Sequence, residues 1–192
     1  GKNLQAYTRS EIYAPLGMIN TGFLPPERVH DRTAPTEKLR DGTVLRGTVH
    51  DPTSRRMGGI AGHAGLFSTA GDLARYARML LNHGELDGRR IFQEASIRLM
   101  TEIQSPPEVR EGRGIGWDID SGYSGPRGQI FPGGSFGHTG WTGTSLWIDP
   151  FSKSFVIFLS NRNHPTEKGS VVQLRKRIST LVAEAIPNGE NY

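Results

Sequence analysis

The stretch Gly137-His138-Thr139-Gly140-Trp141-Thr142-Gly143-Thr144 decides how this sequence is read. Three glycines spaced three apart weaken a strand, so they make sense where something must approach the backbone closely. A histidine and a threonine there can offer hydrogen bonds, and the histidine some positive charge, to an anionic ligand. A plain glycine-rich turn between strands is the alternative reading of the same residues. Downstream, Thr144 to Asp149 alternates, with Leu146 and Ile148 on one face and Ser145 and Trp147 on the other. Phe155-Val156-Ile157-Phe158-Leu159 is a continuous apolar run, the pattern of a strand buried on both faces. Asp149-Pro150-Phe151-Ser152 between them marks a hairpin, and Gly114-Ile115-Gly116-Trp117-Asp118-Ile119 upstream predicts a further short strand.

Away from these strands the period is helical. Leu73, Tyr76, Ala77, Leu80 and Leu81 make one apolar face, opened by a Thr69/Asp72 capping box and closed by Gly84. Residues 4–14 predict an amphipathic helix with Leu4, Tyr7, Ile12 and Tyr13 as core contacts, stopped by Pro15 and Gly17. A shorter helix is expected over 94–103. A last one is expected over about 168–186, with Val171, Leu174, Ile178, Leu181, Val182 and Ala185 inward. Asn20 to Thr53 is polar and weakly periodic, a length of loop that is usually functional. The order predicts an α+β fold, helices packed on an antiparallel sheet. Residues up to about 110 form its helical and loop region, and about 111–192 its strands and closing helix.

Composition narrows the classes. With 35% apolar and 22% charged residues the chain is not of disordered type. No cysteine is present, which excludes disulfides and thiolate metal sites. No apolar run reaches the roughly 18–20 residues that span a bilayer. The net charge of +4 is scattered in small groups such as Arg55-Arg56 and Arg175-Lys176-Arg177, so a solvated basic surface is the reading and a nucleic-acid stripe is not.

His138-Thr139-Gly140 resembles the third signature of serine β-lactamases and penicillin-binding proteins, Lys-Thr-Gly in most members and His-Thr-Gly in many class C-like ones. Other stretches are similar to that branch in the same order: Pro15-Leu16-Gly17-Met18 with Thr21 and Phe23, Ala61-Gly62-His63-Ala64-Gly65-Leu66-Phe67-Ser68-Thr69 with Asp72, and Gly114-Ile115-Gly116-Trp117. The resemblance covers nearly the whole chain. It implies the β-lactamase/transpeptidase-like fold, with residues 1–192 as the C-terminal part of one domain. It also implies an amide or ester substrate, namely a β-lactam, a D-Ala peptide or an ester, and a bacterial periplasmic or extracytoplasmic setting. By the same resemblance His138 and Thr139 bind a substrate carboxylate, and the backbone N–H of Trp141 serves as an oxyanion donor. Gly140, Thr142, His50 and His63 then line the substrate site. No cofactor is implied.

The departure from the family concerns the nucleophile. No serine here is followed three residues on by lysine, and no tyrosine or serine is followed two residues on by asparagine. Both motifs lie upstream in the family, so the chain is expected to lack its nucleophile and to be inactive alone. Gly133-Gly134-Ser135-Phe136-Gly137 fits a nucleophile elbow, but that motif needs a strand before it and a helix after it. Here Pro132 precedes and a strand-like run follows. His50, His63 and Asp51 suggest metal ligands, yet no His-x-x-x-His spacing supports them, and no metal is expected. His30, His83 and His164 read as surface loop residues, and Trp117 and Trp147 as packing. A non-catalytic module that binds cell-wall peptide or penicillin is the alternative to an enzyme part, followed by a basic nucleic-acid module. An exposed sheet edge is expected to favour self-association or pairing with the missing half.

Overall fold

A computed structural model describes residues 1–186. The expected strand and helix region extends to 192, and residues 187–192 lie outside the described residues. The chain divides into two compact units, Gly1–Tyr76 with Ser160–Gly169, and Ala77–Leu159 with the residues from Ser170 on.

In the first unit, α1 (Leu4–Thr8) is capped by Asn3, whose side chain accepts from the Ala6 N–H, and it runs on as a π-helical turn over Arg9–Tyr13. Leu4 and Tyr7, expected in the core, are exposed. The i→i+5 turn adds a residue to the helical circuit, so a stripe laid out at 3.6 residues does not stay on one face. Asp51 caps α2 (Pro52–Arg56) by accepting from the Ser54 N–H, with proline at the first helical position. The long polar loop carries β1 (Gly22–Phe23), which pairs antiparallel with β2 (Leu66–Phe67), and a 3-10 turn over Glu27–Arg32. His30 is not a free surface residue. It is half-buried and bonded to the Pro25 carbonyl, and a Cβ on Gly47 would overlap its ring.

Helix α3 (Ala70–Leu81) follows its predicted span. Only half of the capping box forms: the Thr69 hydroxyl accepts from the Asp72 N–H at 3.2 Å. The shorter Asp72 carboxylate instead accepts from the Asn20 N–H at 2.8 Å and the Thr21 hydroxyl at 2.7 Å. Gly84 ends the helix at φ +94°, where a Cβ would lie 2.2 Å from the Phe92 carbonyl.

The second unit holds a small hairpin, β3 (Glu85–Leu86) with β4 (Arg89–Arg90), and α4 (Glu94–Thr101), which buries Ile97. Its main feature is an antiparallel five-stranded meander in sequence order: β5 (Gly112–Arg113), β6 (Asp118–Asp120), β7 (Phe136–Thr139), β8 (Ser145–Asp149) and β9 (Ser154–Phe158). Helix α5 (Val172–Ala185) packs on it, with Phe131, Trp147, Val156 and Ala183 as the core and Ile178, Val182 and Ile186 against them. The α+β arrangement of helices and antiparallel sheet is therefore as the order of periods predicts.

Four local expectations change. Gly114–Trp117 is the turn between β5 and β6 rather than a strand, closed by the Gly114 N–H on the Trp117 carbonyl. In β8 both faces are covered, since Ser145, Trp147, Ile148 and Asp149 are all buried. The apolar run of β9, expected to be buried on both faces, lies at the sheet edge, and only Val156 in it is fully buried. Helix α5 is turned by about one residue, or about 100°. Arg175, Ser179 and Ala183 face inward, while Leu174 and Leu181 are about half exposed. The reason for that rotation is an arginine used inside the fold.

Candidate functional site

The strand β7 is held between β6 and β8, with His138 opposite Leu146 and Thr139 opposite Ser145. Phe136 and Gly137 are buried, His138 is exposed and Thr139 half-buried, so the strand runs from the core out to a surface. What approaches Gly137 closely is the protein itself. A Cβ there would lie 2.3 Å from the Trp147 ring and 2.4 Å from the Leu146 carbonyl. Gly140 is similar, with the Thr144 hydroxyl 2.2 Å from where a Cβ would sit. These glycines let indole and hydroxyl pack onto backbone and so fix the strand end.

His138 accepts a hydrogen bond at Nε2 from Arg113 Nη2 at 3.2 Å, and its Nδ1 lies 2.9 Å from the Thr139 carbonyl. A guanidinium can only donate, so this arrangement places the imidazole proton on Nδ1, where it donates to Thr139. The fixed cation of this surface is Arg113. That arginine reaches across β6 from β5 and lies 3.7 Å from the buried Asp118 carboxylate. Nothing in the spacing of the sequence links positions 113 and 138.

Beyond the strand, residues 140–144 form a tight turn. The Gly140 N–H donates to the Thr144 carbonyl at 2.7 Å, and the Gly143 N–H to the Gly140 carbonyl at 3.1 Å. Arg175 of α5, only 7% exposed, donates from Nη2 to both carbonyls, at 2.9 Å to Gly140 and 2.7 Å to Thr144. A buried cation thus holds the turn that carries Trp141 and Thr142. The Trp141 side chain is 67% exposed and Thr142 is half-buried. Sequence reading missed Arg175 because it lies among other basic residues and looks solvated.

Ser135 is fully buried. Its hydroxyl donates to the Pro132 carbonyl at 2.8 Å and accepts from the Trp147 indole N–H at 2.9 Å. Strand β7 follows it directly, so no helix presents the hydroxyl. Trp117 packs edge-on against Phe136 at 5.3 Å, and Trp147 is buried. A groove of about 580 Å³ in this unit is lined by Ile103, Ile119, Phe136 and Phe151 and not by His138 or the 140–144 turn.

His50 and His63 belong to the first unit, and the structure separates their partners. His63 is exposed and lies 3.0 Å from Asp51 Oδ1. The backbone N–H of Ser54, and then His63, hold the Asp51 carboxyl below the usual aspartate range. The adjoining loop is fixed by Ser54, fully buried, whose hydroxyl donates to the Ala64 carbonyl at 2.9 Å. His50 is buried instead among Glu37, Glu167 and Asn163. A ring enclosed in this way has little surface left for a substrate.

Comparison with known proteins gives the family and the fold. The profile of the family described as Beta-lactamase matches residues 1–178. A protein of Escherichia coli K12 named "Putative D-alanyl-D-alanine carboxypeptidase" is 32% identical over 185 residues, covering 85% of this chain and 41% of that protein. A Salmonella gallinarum protein of the same name is 33% identical over 205 residues, covering 95% and 45%. The chain thus spans less than half the length of these curated relatives. Among solved structures, a penicillin-binding protein homologue from Caulobacter crescentus superposes with a TM-score of 0.65 at 20% identity, over 96% of this chain and 53% of that one. Simvastatin synthase from Aspergillus terreus gives a TM-score of 0.66 at 17% identity, over 97% and 52%. Both likenesses concern the fold. The profile match over residues 1–178 makes this chain a member of the Beta-lactamase family of serine hydrolases.

Proposed function

We propose that these residues supply the substrate-carboxylate and oxyanion wall of a serine hydrolase that opens an amide or ester bond through an acyl-enzyme. The observation that carries this is the pinned end of β7. Arg113 and the Thr139 carbonyl orient His138, and Arg175 fixes the 140–144 turn behind it. Thr139 and Arg113 receive the substrate carboxylate, and His138 holds the Arg113 guanidinium in place. The Trp141 N–H faces the developing oxyanion, where one such donor contributes about 2.7–4 kcal/mol to the transition state. Gly140 and Thr142 border the substrate. Among β-lactams, D-Ala peptides and esters, the D-Ala peptide is favoured by the names of the curated relatives.

The attacking serine is not among these 192 residues: there is no Ser-x-x-Lys, no Tyr-x-Asn, and Ser135 is buried with its hydroxyl engaged on both sides. Alone, the chain binds and does not turn over. The half-exposed edge strand β9 is the surface by which it self-associates or pairs with the residues that bear the nucleophile.

Binding is measured with an acyl-D-Ala-D-Ala peptide by calorimetry, and turnover with nitrocefin and a p-nitrophenyl ester. The expected result is peptide binding weakened about tenfold or more by Thr139→Val or Arg113→Gln, with turnover of neither reagent above buffer. Equal peptide affinity in wild type and both variants, or turnover abolished by Ser135→Ala in a folded protein, would overturn the assignment.

A further inference from the structure

From the surroundings of His50 we infer a second site in the first unit, a structural site for a zinc-like divalent cation built from Glu37, His50, Glu167 and Asn163. Ligand atoms of Glu37, His50 and Glu167 all lie within 4.8 Å of one another. His50 Nε2 is 3.2 Å from Glu37 Oε2 and 3.3 Å from Glu167 Oε1. Ligands held at about 2.0–2.1 Å around a tetrahedral zinc are separated by about 3.3–3.4 Å. The two measured edges, both on His50, are close to the edge of a zinc tetrahedron.

Asn163 provides an independent sign of a missing ligand. It is fully buried, and its Oδ1 has no hydrogen-bond partner. Its amide faces the His50 ring, with Nδ2 3.5 Å from Nδ1 and 3.4 Å from Nε2, too long and too evenly shared for a good hydrogen bond. A half-turn of the amide puts the oxygen where the nitrogen now is, beside the same cluster.

The donor chemistry points the same way. One nitrogen and three oxygens select a borderline first-row ion; magnesium and calcium prefer oxygen-only cages. The backbone holds the donors in place beforehand. The Leu45 N–H donates to the Glu37 carbonyl at 2.8 Å, and the Lys38 N–H to the Pro165 carbonyl at 3.0 Å, tying loop 36–45 to segment 160–169. The cation thus acts as a clamp that fastens segment 160–169 to the Glu37 and His50 loops. This set differs from the grouping suggested by sequence, in which His50 stood with His63 and Asp51.

The test uses the whole chain, stripped with EDTA and titrated with Co²⁺ and then Zn²⁺. One equivalent of Co²⁺ should bind with the visible d–d absorption of a tetrahedral site, and Zn²⁺ should displace it. Glu167→Gln, a change at an exposed position, should weaken binding about tenfold or more, as should Glu37→Gln, while Asp51→Asn should bind as wild type. His50→Ala should abolish uptake, and the two glutamine variants keep the inference testable if that protein does not fold. Substoichiometric uptake, or equal affinity in wild type and Glu167→Gln, would overturn it. So would an imidazolium signal from His50 at neutral pH that added metal leaves unchanged, since that identifies a plain ion-pair triad.

Discussion

Replacing Arg175 by methionine should loosen the turn that carries the oxyanion donor. The side chain makes two charge-assisted hydrogen bonds, to the Gly140 and Thr144 carbonyls, from a position only 7% exposed. Bonds of this type contribute about 1.5–3 kcal/mol each. Each carbonyl keeps a second donor, the Gly143 N–H and the Gly140 N–H respectively, and a methionine no longer has to be desolvated as a cation. Both considerations favour the low end, so the net cost should be about 2–4 kcal/mol. All three tryptophans, 117, 141 and 147, lie in the same unit as the turn, so indole fluorescence in urea reports on it alone. With a slope of about 2 kcal/mol/M, the midpoint should fall by about 1–2 M. Arg175→Lys, which can reach one carbonyl, should fall in between. Hydrogen exchange at the Gly140 and Gly143 amides should speed up in the methionine variant. A midpoint within about 0.3 M of wild type, with those amides unchanged, would refute the reasoning.

Two further outcomes follow from local geometry. Gly137→Ala should destabilise by about 1–3 kcal/mol or more in the same urea assay, because a Cβ 2.3 Å from the Trp147 ring forces the indole or the strand to shift; a neutral substitution would contradict the packing. Burial pushes the Tyr76 hydroxyl up to about 12, from 10.0 in the free side chain. The unfolded chain therefore loses that proton first, so the contribution is complete below about pH 10 and lost by about pH 12. At about 1.36 kcal/mol per pH unit this amounts to about 2–3 kcal/mol. Tyr76→Phe should flatten the alkaline fall in stability, leaving the smaller slope of Tyr13, which burial also raises. An unchanged alkaline profile would contradict it.

The parts of the fold that periodicity reveals are those where side-chain spacing and backbone geometry agree. Helix α3 is the clear case, with Thr69 at its start and Gly84 at its end. The misreadings come from tertiary use of residues that look ordinary locally. Arg175 and Ser179 turn inward, so the apolar row through Leu174 and Leu181 faces outward, contrary to its hydrophobicity. The run 155–159 reads as doubly buried, but its position at the sheet edge leaves one side open, and no local pattern encodes strand order. In the proposed site, His138 and Thr139 stand out in the sequence because their motif is contiguous. Arg113 and Arg175 were not, since both reach the motif across elements 25 and 35 residues away in sequence. The His50 cluster is likewise assembled from three separate segments.

The proposed role of this chain is the substrate wall of a serine hydrolase, without the nucleophile. Intact-mass spectrometry after incubation with a penicillin tests it most directly. The chain should keep an unmodified mass at every penicillin concentration and bind reversibly in a way that depends on Thr139. A stoichiometric acyl adduct, mapped by proteolysis to any serine of these 192 residues, would contradict it.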